Sequence, residues 1–151
     1  MSVGIGYDSH RFAEGRPLIL GGVEVPHEKG LAGHSDADVL THAVIDAILG
    51  AAGLGDIGEV FPDTDPAWEG ADSIGLLHTV IGMLRGPIVN VDATLICEQP
   101  KLGPHRPAMV ARLTAVTDAR ISVKATTNEG MGWIGRGEGI ACMAVAAVDL
   151  D

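Results

Sequence analysis

The chain has 151 residues, of which 20 are acidic and 10 basic, and its formal net charge is −10. With 46% hydrophobic and 20% charged residues, the chain is predicted to fold as one domain over residues 1–151. Its acidity excludes unaided binding to a nucleic-acid backbone, because such binding needs clustered basic residues. Two cysteines are too few for a disulfide framework, and neither a membrane span nor a secretion signal is recognisable, so we expect a cytoplasmic protein that does not insert into a membrane.

The first forty residues are predicted to be mostly β-structure. Residues 3–10 alternate apolar side chains with small or polar ones, which indicates a strand. Gly21-Gly22 predicts a two-residue hairpin turn between strands at 17–20 and 23–25. A helix is predicted from Ser35 or Asp36 to Ala52, because a polar cap precedes apolar residues at helical spacing.

The remaining residues alternate between predicted helices and strands. Residues 55–70 are rich in Asp, Gly and Pro and predict a long loop, a class enriched in binding sites. Helices are predicted at 72–84 and 104–116, and strands at 88–97, 121–126 and 140–148. This arrangement indicates an α/β domain, or in the broader sense α+β, built from layers around one core.

Three side chains form a candidate metal site. Asp8 and His10 are two residues apart on a predicted strand and leave the same face, although an isolated pair of this kind is more often a solvated strand end. Asp38, His42 and Asp46 form one stripe on the predicted helix, and a stripe that faces water is an equal alternative. If His42 joins Asp8 and His10, two imidazoles and one carboxylate suit zinc, with a fourth position open for substrate. Asp38 or Asp46 could then accept a hydrogen bond from the second ring nitrogen of His42.

Two further segments allow both a functional and a purely structural interpretation. His34 and Ser35, at the start of the predicted helix, would suit a phosphate, or they are a loop residue and a helix cap. Residues 130–135 fit the pattern G-x-G-x-x-G, but a final strand follows where a dinucleotide-binding unit needs a helix, so we reject that function. The remaining interpretation is a glycine-rich turn, or a flexible hairpin, that carries Glu129, Arg136 and Glu138 beside Thr126 and Thr127.

Seven motifs occur in a characteristic order between about residue 4 and residue 148. They are Gly6-Tyr7-Asp8-Ser9-His10, Gly33-His34-Ser35-Asp36-Ala37-Asp38, His42, Gly53-Leu54-Gly55-Asp56-Ile57-Gly58, Phe61-Pro62-Asp63-Thr64-Asp65-Pro66, Lys124-Ala125-Thr126-Thr127 and Gly135-Arg136-Gly137-Glu138-Gly139-Ile140-Ala141. Together they resemble one enzyme family, 2-C-methyl-D-erythritol 2,4-cyclodiphosphate synthase of the non-mevalonate isoprenoid pathway.

The resemblance implies a lyase-type cyclase that converts 4-diphosphocytidyl-2-C-methyl-D-erythritol 2-phosphate to the cyclodiphosphate and releases CMP. It also implies a mixed β-sheet with helices on one face, and a homotrimer whose sheets face the threefold axis and whose active sites lie between subunits. A zinc-dependent phosphoesterase is an alternative from the same residues. A non-catalytic trimer that binds an isoprenoid diphosphate in its axial cavity is another.

The resemblance also implies residue roles. Asp8, His10 and His42 match zinc ligands, and Glu129 matches the ligand of a second divalent cation, Mg²⁺ or Mn²⁺, on the diphosphate. His34 and Thr127 match residues that assist the transition state. Substrate-binding matches beside the metal site are Asp8, Ser9, His10 and His34. The loop over the methylerythritol end is matched by Ser35, Asp56, Ile57, Gly58, Phe61, Pro62, Asp63, Thr64 and Asp65. The cytidine pocket is matched by Cys97, Glu98, Gln99, Pro100, Lys101, Leu102, Gly103, Thr126, Thr127 and Asn128, and positions near the phosphates and the trimer axis by Trp133 and Arg136. Trp133 is larger than the residue expected there, so the resemblance does not determine which side chains line the axial cavity.

Overall fold

The computed structural model describes residues 1–150 and contains seven strands and five helices. The strands are β1 (Ser2–Ala13), β2 (Leu18–Leu20), β3 (Val23–Val25), β4 (Gly30–Leu31), β5 (Ile88–Ile96), β6 (Arg120–Thr126) and β7 (Gly139–Val148). The helices are α1 (Val39–Ala52), α2 (Ile57–Val60), α3 (Ser73–Gly82), α4 (Arg106–Thr117) and α5 (Gly132–Gly135), with single 3₁₀ turns at Pro66–Trp68 and Gly103–His105. None of the helices in residues 1–150 combines the length and the hydropathy that a membrane-spanning helix requires.

Five strands form one mixed sheet in the order β4-β1-β7-β5-β6. Strands β1 and β7 are antiparallel along most of their length, and β7 is also antiparallel to β5. Strand β5 runs parallel to β6, with α4 in the connection between them. Strands β2 and β3 form the predicted hairpin, in which Gly21 and Gly22 have positive φ values of 61° and 72°. The mixed sheet agrees with the fold implied by the sequence.

Helices cover one face of the sheet, and α1 lies directly on β1. The face of β1 that meets α1 carries Gly4 and Gly6, followed by Asp8 and His10. A Cβ atom at Gly6 would lie 2.0 Å from the carbonyl oxygen of Ala43 in α1, so only glycine permits this approach. The close packing places the first turn of α1 beside Asp8 and His10.

The hydrophobic core lies between the sheet and the helices. The central strands β5 and β7 contribute fully buried apolar side chains from the face that meets the helices. Their partners on α1, α3 and α4 include Leu40, Ile48, Leu77, Met109 and Leu113, each less than 2% exposed. This core holds α1 and α3 rigidly with respect to β1, which is a requirement for a site built from all three elements.

The structure corrects two sequence-based predictions, the start of the first helix and the loop at 55–70. Helix α1 begins at Val39 and not at Ser35 or Asp36, because Ala37 has a left-handed φ of 58° that no α-helix accommodates. Asp38 is the residue that caps the helix, through a 2.9 Å bond from the backbone N–H of Thr41. The predicted loop at 55–70 contains the short helix α2 and a 3₁₀ turn.

Candidate metal centre and substrate pockets

Asp8, His10 and His42 meet where β1 contacts the first turn of α1. The Oδ2 atom of Asp8 lies 2.8 Å from Nε2 of His10 and 3.1 Å from Nδ1 of His42. One ligand atom from each residue lies within 4.8 Å of the other two, and within residues 1–150 no other group of three His, Cys, Asp or Glu side chains does so. The predicted convergence of these three side chains is confirmed.

The outer nitrogen of each imidazole has an oxygen partner. Nδ1 of His10 lies 2.7 Å from the carbonyl oxygen of Ala32, and because a carbonyl can only accept, this nitrogen carries a proton. Nε2 of His42 lies 2.8 Å from the hydroxyl oxygen of Ser73 and 3.1 Å from that of Ser35. The inner nitrogens, Nε2 of His10 and Nδ1 of His42, face Asp8.

The prediction that Asp38 or Asp46 accepts a hydrogen bond from His42 is wrong. Asp38 is fully buried and accepts from backbone N–H groups of the hairpin turn, so its stripe position does not face water either. Asp46 accepts a 2.9 Å bond from the backbone N–H of Ile57 at the start of α2. Both carboxylates therefore connect structural elements, and Ser73 takes the position that was expected for them.

Mutual attraction shifts the ionisation of the cluster. Burial raises the pKa of Asp8, but hydrogen bonds and attraction from His10 and His42 outweigh it, and the resulting pKa lies below the ordinary carboxyl value. Burial lowers the pKa of His10, but the hydrogen bond that its ring donates to the Asp8 carboxylate, together with the attraction of that charge, outweighs this and raises the pKa above the ordinary imidazole value. One carboxylate and two imidazoles form a donor set that fits zinc. A zinc ion that binds here would displace any proton that the inner imidazole nitrogens carry towards Asp8.

A cavity of about 410 Å³ opens beside the cluster. Phe61 and Trp68 contribute an apolar wall, with ring centroids 4.9 Å apart at 79°. Trp68 and Leu76 were not identified from the sequence. Trp68 is an isolated apolar residue in a predicted loop, and Leu76 is one of several apolar residues in a predicted helix, so neither carries a signal for a pocket. The lining includes these predicted residues: Asp8, His10, His34, Ser35, His42, Ile57, Gly58, Phe61 and Asp63.

The loop at residues 33–35 is held at the rim of this cavity by Arg16. Its guanidinium donates 2.8 Å and 2.6 Å bonds to the carbonyl oxygens of Gly33 and Ser35. His34 is half-buried, and its Nε2 lies 3.2 Å from the carbonyl oxygen of Asp65. Arg16 was missed from the sequence because its contacts are made to distant backbone atoms, which no local pattern records.

A second pocket of about 240 Å³ lies where β5 and β6 end. Burial raises the pKa of Cys97, which lines it, to about 12, so this thiol stays protonated near neutral pH and does not act as a nucleophile. Arg106 and Ala125 also line the pocket and were not predicted. The predicted residues brought together here are Cys97, Glu98, Pro100, Lys101, Leu102, Gly103, Thr126 and Thr127.

Several predicted site residues lie outside these two cavities. Ser9 and Trp133 line a third one of about 670 Å³ together with Arg11, Lys29 and Glu138. Glu129 is exposed in a turn, and its backbone N–H donates to the hydroxyl of Thr127 at 3.2 Å. Those that line none of the three cavities are Asp56, Pro62, Thr64, Asp65, Gln99, Asn128, Glu129 and Arg136.

The first two cavities have no lining residue in common. His34 lies at the first cavity and Thr127 at the second, so the two candidate catalytic residues are in separate pockets of one chain. Neither pocket alone therefore contains both candidate catalytic residues.

Comparisons with known proteins give a consistent result. A model of the YgbB family matches residues 1–149. The 2-C-methyl-D-erythritol 2,4-cyclodiphosphate synthase of Symbiobacterium thermophilum is 58% identical over 98% of this chain and 98% of its own, and that of Geotalea daltonii is 58% identical over 97% and 89%. A solved structure of a 2C-methyl-D-erythritol-2,4-cyclodiphosphate synthase in a CDP-bound form is 39% identical, with a TM-score of 0.88 over 97% of this chain and 99% of that one.

Proposed function

The chain belongs to the YgbB family, and from this premise we propose that it converts 4-diphosphocytidyl-2-C-methyl-D-erythritol 2-phosphate to 2-C-methyl-D-erythritol 2,4-cyclodiphosphate with release of CMP. The enzyme is a lyase of the non-mevalonate isoprenoid pathway. The observation that supports this function most directly is the cluster of Asp8, His10 and His42 beside a cavity of about 410 Å³. The phosphoesterase alternative is not favoured by the family.

The reaction is an intramolecular phosphoryl transfer. An oxygen of the 2-phosphate forms a bond to the β-phosphorus, the bond from that phosphorus to the bridging oxygen breaks, and CMP leaves with the electron pair. Substrate supplies both nucleophile and leaving group, so the protein has to fold a flexible anion onto itself and stabilise its charge. No side chain needs to become covalently attached, which agrees with the raised pKa of the buried Cys97 thiol.

Zinc is the ion that the donor set of the cluster supports. Asp8 would hold it through a carboxylate oxygen, His10 through Nε2 and His42 through Nδ1, the atoms that face one another. Bound there, zinc would supply positive charge for the phosphate oxygens and an open coordination position. His34 and Ser35, held at the rim by Arg16, would orient the same phosphates.

A second divalent cation, Mg²⁺ or Mn²⁺, would be held by Glu129. Its carboxylate is exposed in the turn after β6, and a single carboxylate leaves the other positions to water and diphosphate oxygens, as Mg²⁺ prefers. Thr127, two residues earlier in the same turn, would contact the diphosphate beside it. The cation would neutralise charge on the departing CMP.

The two pockets would hold the two ends of the substrate. The methylerythritol end would lie in the 410 Å³ cavity against Ile57, Gly58 and Phe61, and the cytidine in the pocket formed by residues 97–103. Because these pockets share no lining residue, we propose that a neighbouring subunit of a homotrimer completes each active site. An isoprenoid diphosphate near Trp133 in the axial cavity, and the cytoplasmic location, stay predictions from the sequence.

The decisive experiment follows the diphosphocytidyl substrate with zinc and magnesium present. Phosphorus NMR should show a cyclic diphosphate together with CMP; a linear product, or no CMP, would contradict the proposal. The variant His42→Ala should lose zinc and at least about a hundredfold in turnover, because metal-ion charge stabilisation is worth several kcal/mol. His78→Ala, on the exposed side of α3, is the matched control and should retain both.

A further inference from the structure

Ser73 lies fully buried between the imidazole of His42 and the carboxylate of Asp36. Its hydroxyl donates to Oδ1 of Asp36, and its backbone N–H donates to Oδ2 of the same carboxylate at 3.0 Å. Nε2 of His42 lies 2.8 Å from the Ser73 hydroxyl oxygen on the other side. The three side chains form a continuous series of hydrogen bonds that begins at a candidate zinc ligand and ends at a carboxylate.

The direction of these bonds determines the tautomer of His42. A serine hydroxyl has one proton, and Asp36, an acceptor, takes it. The Ser73 oxygen can then only accept from His42, so Nε2 carries the imidazole proton. In the neutral imidazole, Nδ1 then has a lone pair directed towards Asp8 and His10, and this neutral form is the one that binds a metal ion.

Ser35 is the weaker candidate for this role. Its hydroxyl oxygen lies 3.1 Å from the same nitrogen, but it also accepts from the backbone N–H of Ala37 and lines the substrate cavity. Ser73 is closer, buried, and has its proton committed to Asp36. Asp36 is itself held, because its N–H donates to the carbonyl oxygen of Ala71 at 3.1 Å and its carboxylate accepts from the N–H of Asp38.

From this geometry we infer that Ser73 and Asp36 are positioning residues, which hold His42 in the tautomer and orientation that bind zinc. The inference rests on the zinc site proposed above and adds two residues to it. Neither residue is a ligand. Partners of this kind typically change metal affinity by about 10- to 100-fold when they are removed.

The test measures the zinc dissociation constant of purified metal-free protein by competition with a chromogenic chelator. Ser73→Ala removes the acceptor of His42 and should weaken zinc binding about 10- to 100-fold. Asp36→Asn should do the same, since an amide retains only one acceptor oxygen. The double variant should bind zinc about as weakly as Ser73→Ala, because Asp36 acts on His42 through Ser73 and the two effects are not additive.

Asp72→Ala is the matched control. Asp72 caps the same first turn of α3 through the N–H of Ile74 but contacts no residue of the zinc cluster. It should lower the melting temperature and leave zinc affinity unchanged, whereas a purely structural role for Ser73 would make the two variants alike. The inference is overturned if both Ser73→Ala and Asp36→Asn bind zinc within about threefold of the wild type, or if Asp72→Ala weakens zinc equally. A wild-type chain that binds no zinc would overturn the proposed metal site itself.

Discussion

At the scale of single residues, Asp38 shows how a buried carboxylate organises the chain around the site. Its Oδ1 accepts from the backbone N–H groups of Gly21 and Thr41, and its Oδ2 accepts from the N–H of Gly22 and the hydroxyl of Thr41. Burial raises the pKa of Asp38 above the ordinary carboxyl value, although all four bonds oppose this. The side chain thus joins the β2–β3 hairpin to the start of α1.

The variant Asp38→Asn should lose about 1–3 kcal/mol in the free energy of unfolding, because its NH₂ group leaves a buried N–H of the hairpin without an acceptor. Urea denaturation measures the change. Asp46→Asn is the control: Asp46 accepts a single bond, from Ile57, which the amide oxygen can take over, so the effect should stay within about 0.5 kcal/mol. Equal losses in the two variants would contradict the importance of the four-bond arrangement.

The residues of the metal cluster could be predicted from the sequence, whereas their supporting contacts could not. Spacing alone places Asp8 and His10 on one face of a strand, and His42 on the helix face that carries polar residues. The partners of His42, Ser73 and Ser35, lie on a different helix and in a loop. Which hydroxyl meets which imidazole depends on how α3 packs against α1, and no local pattern encodes that packing.

At the scale of secondary-structure elements, the contact between β1 and α1 determines the geometry of the metal centre. Strand β1 carries two of the candidate ligands and α1 carries the third. A Cβ atom at Gly4 would lie 2.1 Å from the carbonyl oxygen of Ala47, and one at Gly6 would meet backbone atoms of α1 as closely. Both glycines therefore fix the distance between the strand and the helix.

The variant Gly6→Ala should destabilise the protein by about 2–3 kcal/mol, since the added methyl group forces backbone of α1 away from β1. It should also weaken zinc binding, because His42 moves with the helix while Asp8 and His10 stay on the strand. Thermal unfolding and chelator competition measure the two effects.

Gly75→Ala provides the control for this variant. Gly75 lies within α3, and a Cβ atom there would meet nothing within 4 Å. Alanine should therefore raise stability by up to about 1 kcal/mol through its better helix propensity and leave zinc affinity unchanged. A Gly6→Ala protein as stable as the wild type would show that α1 can shift without cost.

The elements with clear periodicity were predicted correctly, and those defined by tertiary contacts were not. The strand β5 and the helix α4 follow from the spacing of their apolar residues, and the strand β7 follows from a continuous apolar run. The start of α1 does not, because Ala37 adopts its left-handed conformation within a loop that Arg16 and Asp36 hold by distant contacts. Strand β4 has two residues, too few to produce a pattern.

At the scale of the whole molecule, one face of the main sheet remains uncovered and apolar. Ile5 on β1 is 66% exposed and pairs with Val145 of β7, which is 43% exposed. Tyr7 and Met143, the next such pair along the two strands, are also exposed. The face of a sheet that meets water normally carries polar side chains, so a contiguous apolar patch at its centre favours contact with another protein surface. This supports the proposed homotrimer.

The surplus of acidic residues also affects how the protein can bind an anionic substrate. The proposed substrate is strongly anionic, yet Asp8 and Asp63 line the metal-side cavity and Asp56 caps the adjacent helix α2. Carboxylates in these positions repel phosphate groups unless divalent cations are bound first. The net charge of −10 thus does not exclude an anionic substrate, provided that the proposed metal ions offset the charge of the carboxylates at the cavity.

The variant Val145→Glu tests whether the apolar face is the subunit interface that completes the active sites. Three buried carboxylates around a threefold axis would repel one another, so light scattering should report monomers for the variant and the proposed trimer for the wild type. The metal cluster lies on the opposite face of the sheet, under α1, and the monomer should still bind zinc with wild-type affinity. Turnover should be lost, because the metal-side cavity and the pocket at residues 97–103 are separate within one chain.

His78→Glu places the same charge on the exposed side of α3 and should change neither the oligomeric state nor the rate. A Val145→Glu monomer with full turnover would show that one chain holds the whole substrate, and an active trimer would show that the uncovered face lies outside the interface.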